Sequence, residues 1–351
     1  MRKISVVKII IIALFVLILL AAALAAVWRQ AAYAVWKNLT VPVYPSRDDH
    51  IWTGGAVYEK LYYAEDSESQ YLDLYVPEIN NNFNKKPDLF VLIHGGGFIA
   101  GDSQTRQARF MYDYFRDRNY ACASINYRLA QEAAFPAGLS DCKAAVRFLR
   151  AHADEYGYNA DQIAIWGESA GGYLAVMCAV TNDDEFTDVK FIGQDENIIS
   201  ARVNVLVDYY GHIDGTGTDQ DWKTLKIPEI VIDIANSWAS GDVLRGYENP
   251  ESFWLRKNIS DMTPEELNYF DPYNYINQND LSGLSVWIVH GDCDITVPYL
   301  HSERLSKILS EKISPDAVKY HLIPGMGHAS DPLYSERLLS ELKSFLDEAL
   351  A

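Results

Sequence analysis

A chain of 351 residues with 49% hydrophobic content holds enough apolar side chain for one large α/β domain or two small ones. Its net charge of −18, with no basic run to offset it, excludes a phosphate backbone as partner, so no nucleic acid is expected. The four cysteines match no zinc spacing, and Cys122, Cys142 and Cys178 fall inside predicted elements with Cys293 in a loop, so free thiols and no metal are expected.

From Ile9 to Val27 the chain carries no charge, a length close to a bilayer core at helical rise. Arg2, Lys3 and Lys8 precede this run, which places the amino end in the cytoplasm. Residues 1–28 are therefore read as an uncleaved transmembrane signal anchor. The competing reading is a cleavable signal peptide, because Ala21 to Ala26 offers a small-x-small site. Either one exports the remainder of the chain. Residues 29–55, with Pro42, Pro45 and the charged Arg47-Asp48-Asp49, read as a juxtamembrane connector.

Strand patterns begin at Val57 to Tyr63 and Tyr71 to Val76, expected to pair antiparallel. Leu89 to Ile93 is a continuous apolar run, the mark of a strand covered on both faces. Further strands are expected at Tyr120 to Ile125, Ile163 to Trp166, Val203 to Val207, Leu284 to Val289 and Ala317 to Leu322. Helices are expected over Asp141 to Tyr156 and Tyr334 to Ala349. The alternation predicts a doubly wound, mostly parallel sheet with an antiparallel start, whose chemistry gathers at the carboxyl ends of the strands. Residues 212–279 break it and read as a cap-like insertion. Its Trp222, Trp238, Tyr247, Phe253 and Trp254 would either stack on sugar rings or fill the insertion's own core.

Between the strand ending at Trp166 and the helical run after Gly172 lies Gly167-Glu168-Ser169-Ala170-Gly171. Strand, sharp turn and helix around G-x-S-x-G describe a nucleophile elbow: the glycines remove Cβ atoms that would collide, and the serine hydroxyl is exposed beside the helix N-terminus. The bland reading is a glycine-rich turn that packs a helix close to a sheet. A serine needs a base and a group to orient that base. Of eight histidines, His328 alone lies in a late loop, Pro324 to Ala329, able to swing over Ser169. The orienting carboxylate is expected after the Leu284 to Val289 strand, where Asp294 is preferred over Asp292 because it lies just ahead of the helix that Pro298 opens. Backbone N–H groups of Gly96, Gly97 and Ala170 are the expected oxyanion donors, with His94 bracing the loop. A dinucleotide or phosphate loop is disfavoured there, since the spacing is not G-x-G-x-x-G and no P-loop lysine comes after it.

These segments, with Asn126-Tyr127-Arg128-Leu129-Ala130 and Phe135-Pro136-Ala137-Gly138 to Asp141, resemble the α/β-hydrolase superfamily. More narrowly they are similar to its hormone-sensitive-lipase-like and feruloyl or acetyl-xylan esterase-like carboxylesterases, over about Val57 to Leu350. Glu168 before the serine is nearer the second group, and the long insertion departs from both. The resemblance implies an α/β-hydrolase catalytic domain over 56–351. It implies a serine carboxylic-ester hydrolase that forms an acyl-enzyme on Ser169, with His328 and Asp294 completing the triad and no cofactor. The expected substrate is a short-chain or carbohydrate-linked ester met outside the cytoplasm, by a domain held to the membrane through the amino-terminal helix or secreted after cleavage. A peptidase or acyltransferase would keep the same triad, whereas a catalytically inactive surface adhesion module would not need it.

Overall fold

Where an apolar run is buried on both faces, period-two alternation feeds two cores at once, and the centre of this sheet does so. Strand β3, Asp88–Ile93, is buried throughout; Leu89, Val91 and Ile93 join one hydrophobic cluster while Phe90 and Leu92 join the other. The neighbouring strands are β1 Gly55–Tyr62, β2 Tyr71–Pro77, β4 Tyr120–Ile125, β5 Asn159–Glu168, β6 Val205–Tyr209, β7 Ser285–Gly291 and β8 Val318–Ile323. They form one sheet in the order β1-β2-β4-β3-β5-β6-β7-β8. Pairings β1–β2 and β2–β4 are antiparallel and all others parallel. This is the expected doubly wound sheet with an antiparallel start.

The computed structural model describes residues 55–78, 85–193, 199–235 and 244–351. The anchor expected over 1–28, the connector as far as residue 54, and Trp238 lie outside these residues. Among the described residues no helix is long and apolar enough to cross a membrane.

Among the described residues the α-helices are α1 Arg106–Phe115, α2 Ala137–Ala151, α3 Ala153–Tyr156, α4 Ala170–Val180, α5 Thr218–Leu225, α6 Glu229–Ala235, α7 Pro250–Leu255, α8 Pro264–Phe270, α9 Pro272–Gln278, α10 Leu300–Lys312 and α11 Glu336–Ala349. Helices α2, α4 and α10 cover one face of the sheet, α1 and α11 the other. The helix expected over Asp141 to Tyr156 differs in two ways. It starts at Ala137, directly after Pro136, and Gly138 packs against Tyr127; small residues there conceal the apolar periodicity. It also breaks at His152, and α3 is closed by Gly157 at φ 83°. The cysteines are all free thiols, with Cys122, Cys142 and Cys178 buried.

Between β6 and β7 the described residues form five short α-helices and a 3-10 turn, Ile259–Asp261. Three of them open with proline in the first turn, Pro250, Pro264 and Pro272, behind the capping side chains Asn249, Thr263 and Asp271. Such caps hold one- and two-turn helices that propensity alone would not. The segment lies at the carboxyl ends of the central strands, where it walls a cleft of about 820 Å³.

Candidate active site

At the end of β5 the backbone turns at Ser169, whose φ of 53° and ψ of −121° no ordinary turn demands of a non-glycine residue. Such geometry costs about 1–3 kcal/mol and persists only where the surroundings over-determine it. Here they do: Ser169 donates its N–H to the Tyr209 carbonyl at 2.9 Å, while its own carbonyl accepts from Tyr173 and His212, each at 3.2 Å. The flanking glycines are required by contact rather than by φ. A Cβ at Gly167 would lie 2.0 Å from the Gly171 carbonyl oxygen, and one at Gly171 would lie 2.3 Å from that of Ile93. Gly171→Ala is therefore expected to destabilise the fold by at least about 2 kcal/mol, read as a lowered urea midpoint, because backbone on both sides cannot yield.

Three side chains separated widely in sequence meet above this turn. His328 Nε2 lies 3.1 Å from Ser169 Oγ, and His328 Nδ1 lies 2.7 Å from Asp294 Oδ2. A carboxylate only accepts, so the imidazole proton sits on Nδ1 and the Nε2 lone pair faces the serine hydroxyl. Asp294 Oδ1 accepts from the N–H groups of Thr296 at 2.8 Å and Val297 at 2.9 Å. Burial alone would push its carboxyl up; His328 and His290 outweigh that and hold it well below the usual carboxylate range. The carboxylate thus stays charged. Asp292 instead accepts the Gly325 N–H at 2.6 Å, tying the loop after β7 to the loop that carries His328.

His290, the residue directly after the Leu284 to Val289 run, is fully buried against Asp294. Its Nε2 is 3.2 Å from Asp294 Oδ2 and its Nδ1 is 2.8 Å from Ser302 Oγ. Glu168 was opaque in the sequence beyond its place in the motif. One of its oxygens accepts the Gly95 N–H at 3.3 Å and the other the Tyr210 hydroxyl at 2.7 Å. The Tyr210 ring meets His328 edge-on at 4.8 Å, and its hydroxyl also contacts that of Tyr334. Glutamate reaches both neighbours at once, linking the glycine loop to the ring beneath the imidazole. Position in the run His290-Gly291-Asp292-Cys293-Asp294 was the one sequence signal that could have singled out His290.

The loop after β3 packs on the turn: a Cβ at Gly95 would lie 3.1 Å from Ser169 Cβ. His94 stacks on Tyr127 at 4.4 Å and its Nδ1 meets the Gly95 carbonyl at 2.7 Å. Burial pushes its pKa down to about 4, so it braces the loop as a neutral ring. Gly96 and Gly97 take φ of 110° and 59°, a path that favours glycine. The N–H groups of Gly96, Gly97 and Ala170 donate to no protein acceptor among the described residues. Gly97 and Ala170 border the cleft with Ser169, whereas a Cβ on Gly96 would point at the Ala100 carbonyl.

The aromatic residues of the insertion divide. Phe253 and Trp254 are buried, and Trp254 lies face to face on Phe98 at 3.9 Å, so both serve packing. Trp222, 5% exposed, borders the cleft. Among the described residues no group of His, Cys, Asp and Glu converges as metal ligands would. What the arrangement can do is move a proton from a hydroxyl to an imidazole, stabilise the resulting cation through a buried carboxylate, and offer N–H donors to an oxygen that becomes negative.

Residues 72–309 match the family model described as BD-FAE. The chain is 26% identical to Esterase LipC of Mycobacterium tuberculosis over 72% of its own length and 55% of that protein's. It is 25% identical to Probable carboxylic ester hydrolase LipM of the same organism, over 78% of its own length and 56% of that protein's. It thus spans about half the length of these curated relatives. A solved structure titled "Truncated form of carbohydrate esterase from gut microbiota" superposes with a TM-score of 0.66 at 23% identity, over 88% of this chain and 99% of that one; that likeness is one of fold.

Proposed function

This chain belongs to the BD-FAE family, and from that premise we propose that it is a serine carboxylic-ester hydrolase working through an acyl-enzyme. The observation that carries the reading is the hydrogen-bonded series from Ser169 Oγ through His328 to Asp294, at 3.1 and 2.7 Å. Ser169 Oγ attacks the ester carbonyl as its proton passes to His328 Nε2, and Asp294 stabilises the imidazolium so formed. The N–H groups of Gly97 and Ala170, with Gly96 behind them, hold the oxyanion. His328 then returns the proton to the departing alcohol, and a water activated by the same ring releases the acid.

A short acyl group is the reading's second element. Next to Gly97 in the chain, Phe98 packs with Trp254 and Tyr173, each less than 5% exposed, with Tyr173 edge-on to both other rings at 5.7 and 5.6 Å, and this aromatic cluster is taken as the wall that limits the acyl side. The carboxylates of Asp219, Glu229, Asp233, Glu248 and Glu251 along the cleft favour an alcohol of carbohydrate type over a lipid. The apolar run Ile9 to Val27 supports a site held outside the cytoplasm. The test is a series of 4-nitrophenyl esters from acetate to octanoate. We expect kcat/KM to fall by about tenfold or more between butyrate and octanoate; a rising series would defeat the short-acyl assignment, and no turnover of any member would defeat the hydrolase.

A further inference from the structure

The proposed ester chemistry leaves a charged pair in the cleft without a role. His212 comes after β6, and its ring borders the cleft together with Ser169. Its Nδ1 lies 3.0 Å from Oε1 of Glu251, in the first turn of α7. The two side chains are 12% and 18% exposed, too enclosed for an ordinary surface pair.

The partners of the two ring nitrogens decide the charge of His212. At Nδ1 the partner is a carboxylate, so the proton belongs to the ring. At Nε2 the partner is Thr218 Oγ1, 3.1 Å away, whose single proton goes to the Asp214 carbonyl at 2.9 Å. His212 therefore has an acceptor at each nitrogen, which favours its charged form; burial opposes that charge, and Glu251 outweighs burial to raise the pKa. His301, its ring centroid 5.1 Å away, is the neutral member, because its Nδ1 accepts the Asp214 N–H at 3.4 Å and burial pushes its pKa down to about 4. Asp214 and Asp221, which also face these rings, are both paired with Arg304 at 3.0 and 2.7 Å.

Glu251 is held rigidly. Its helix is capped by Asn249, stacked through Trp254 on Phe98, and fixed by the Phe135 N–H to the Trp254 carbonyl at 3.0 Å. His212 meets one carboxylate oxygen at 3.0 Å, and the backbone N–H of Glu251 itself also donates to the carboxylate. Asp219, Glu229, Asp233 and Glu248 also border the cleft, together with the cation of Lys223 and the hydroxyls of Thr216 and Ser260, so carboxylates outnumber cations along its wall. An apolar alcohol entering here would strip water from a carboxylate and return nothing. An alcohol with free hydroxyls would replace that water with charge-assisted hydrogen bonds.

We infer that Glu251, oriented by His212, is the specificity-determining residue for the alcohol half of the substrate, selecting esters whose alcohol carries free hydroxyls beside the ester oxygen. This rests on the ester-hydrolase reading. The test uses the full chain and two substrates with the same ester: methyl 2-O-acetyl-β-xyloside and its 3,4-di-O-methyl counterpart. The wild type should favour the free hydroxyls by at least about tenfold in kcat/KM, since a site built to accept a hydroxyl rejects the analogue that lacks it. Glu251→Gln, and separately His212→Gln, should bring the ratio to within about threefold. A wild-type ratio near one, which needs no variant to measure, overturns the inference, as does a ratio that survives both substitutions. If the wild type turned over neither xyloside nor phenyl acetate, the hydrolase reading itself would fall; phenyl acetate turnover without hydroxyl preference removes only the role of Glu251.

Discussion

Replacing Ser169 with alanine is expected to lower kcat for phenyl acetate by on the order of 10⁵-fold while leaving the protein folded. The size of the loss reflects the role assigned: without the hydroxyl no acyl-enzyme can form, and the remaining N–H donors support only slow attack by water. Alanine suits the position sterically, because the hydroxyl contacts His328 at 3.1 Å whereas the turn is held by backbone bonds to Tyr209, Tyr173 and His212. An unchanged urea midpoint together with lost turnover separates chemistry from collapse. A fluorophosphonate probe adds a second readout: it should label the wild type and leave the Ser169→Ala protein unlabelled. Labelling that persists in the variant would place the nucleophile elsewhere.

The second large effect is expected at Asp294. Asp294→Asn should reduce kcat by about 10⁴-fold, with KM changed much less. An amide can offer N–H rather than an acceptor to His328 Nδ1, which drives the imidazole to the other tautomer and aims a proton, not a lone pair, at Ser169. It also withdraws the charge that would stabilise the imidazolium as it forms. The N–H groups of Thr296 and Val297, 2.8 and 2.9 Å from Oδ1, hold an asparagine's carbonyl oxygen on their side, so its NH2 is the group left facing His328. Asp292→Asn is the informative comparison. That carboxylate binds the Gly325 N–H at 2.6 Å, and a neutral amide oxygen can keep the bond, so its loss of kcat should stay within about tenfold. Equal losses at the two positions would contradict the assignment of Asp294.

The legible parts of this chain share a property: each depends on a few adjacent residues. The turn at Ser169 could be read because backbone crowding over five positions admits glycine at Gly167 and Gly171 and little else. The buried strands could be read from unbroken apolar runs, and β3 and β4 lie within one residue of where those runs place them. Helix α2 could not be placed well, since Pro136 and Gly138 obscure its first turn. The aromatic residues of the insertion were ambiguous in sequence for another reason. Composition says that tryptophan will be covered, but not by what; Trp254 is covered by Phe98, and Trp222 borders the cleft.

By itself the amino-acid sequence determined a mostly parallel sheet, a strained serine between strand and helix, and the loops in which an imidazole and a carboxylate would have to lie. Those are local matters of backbone sterics and of apolar runs. Only the tertiary structure decided that β4 runs between β2 and β3, that His328 meets Ser169 across 159 positions of chain, that His290 underlies Asp294, and that Glu251 faces His212 in the cleft. Contacts at such separations are set by the order of strands in the sheet and by how the insertion folds over their ends, and neither leaves a periodic mark in the residues that finally touch.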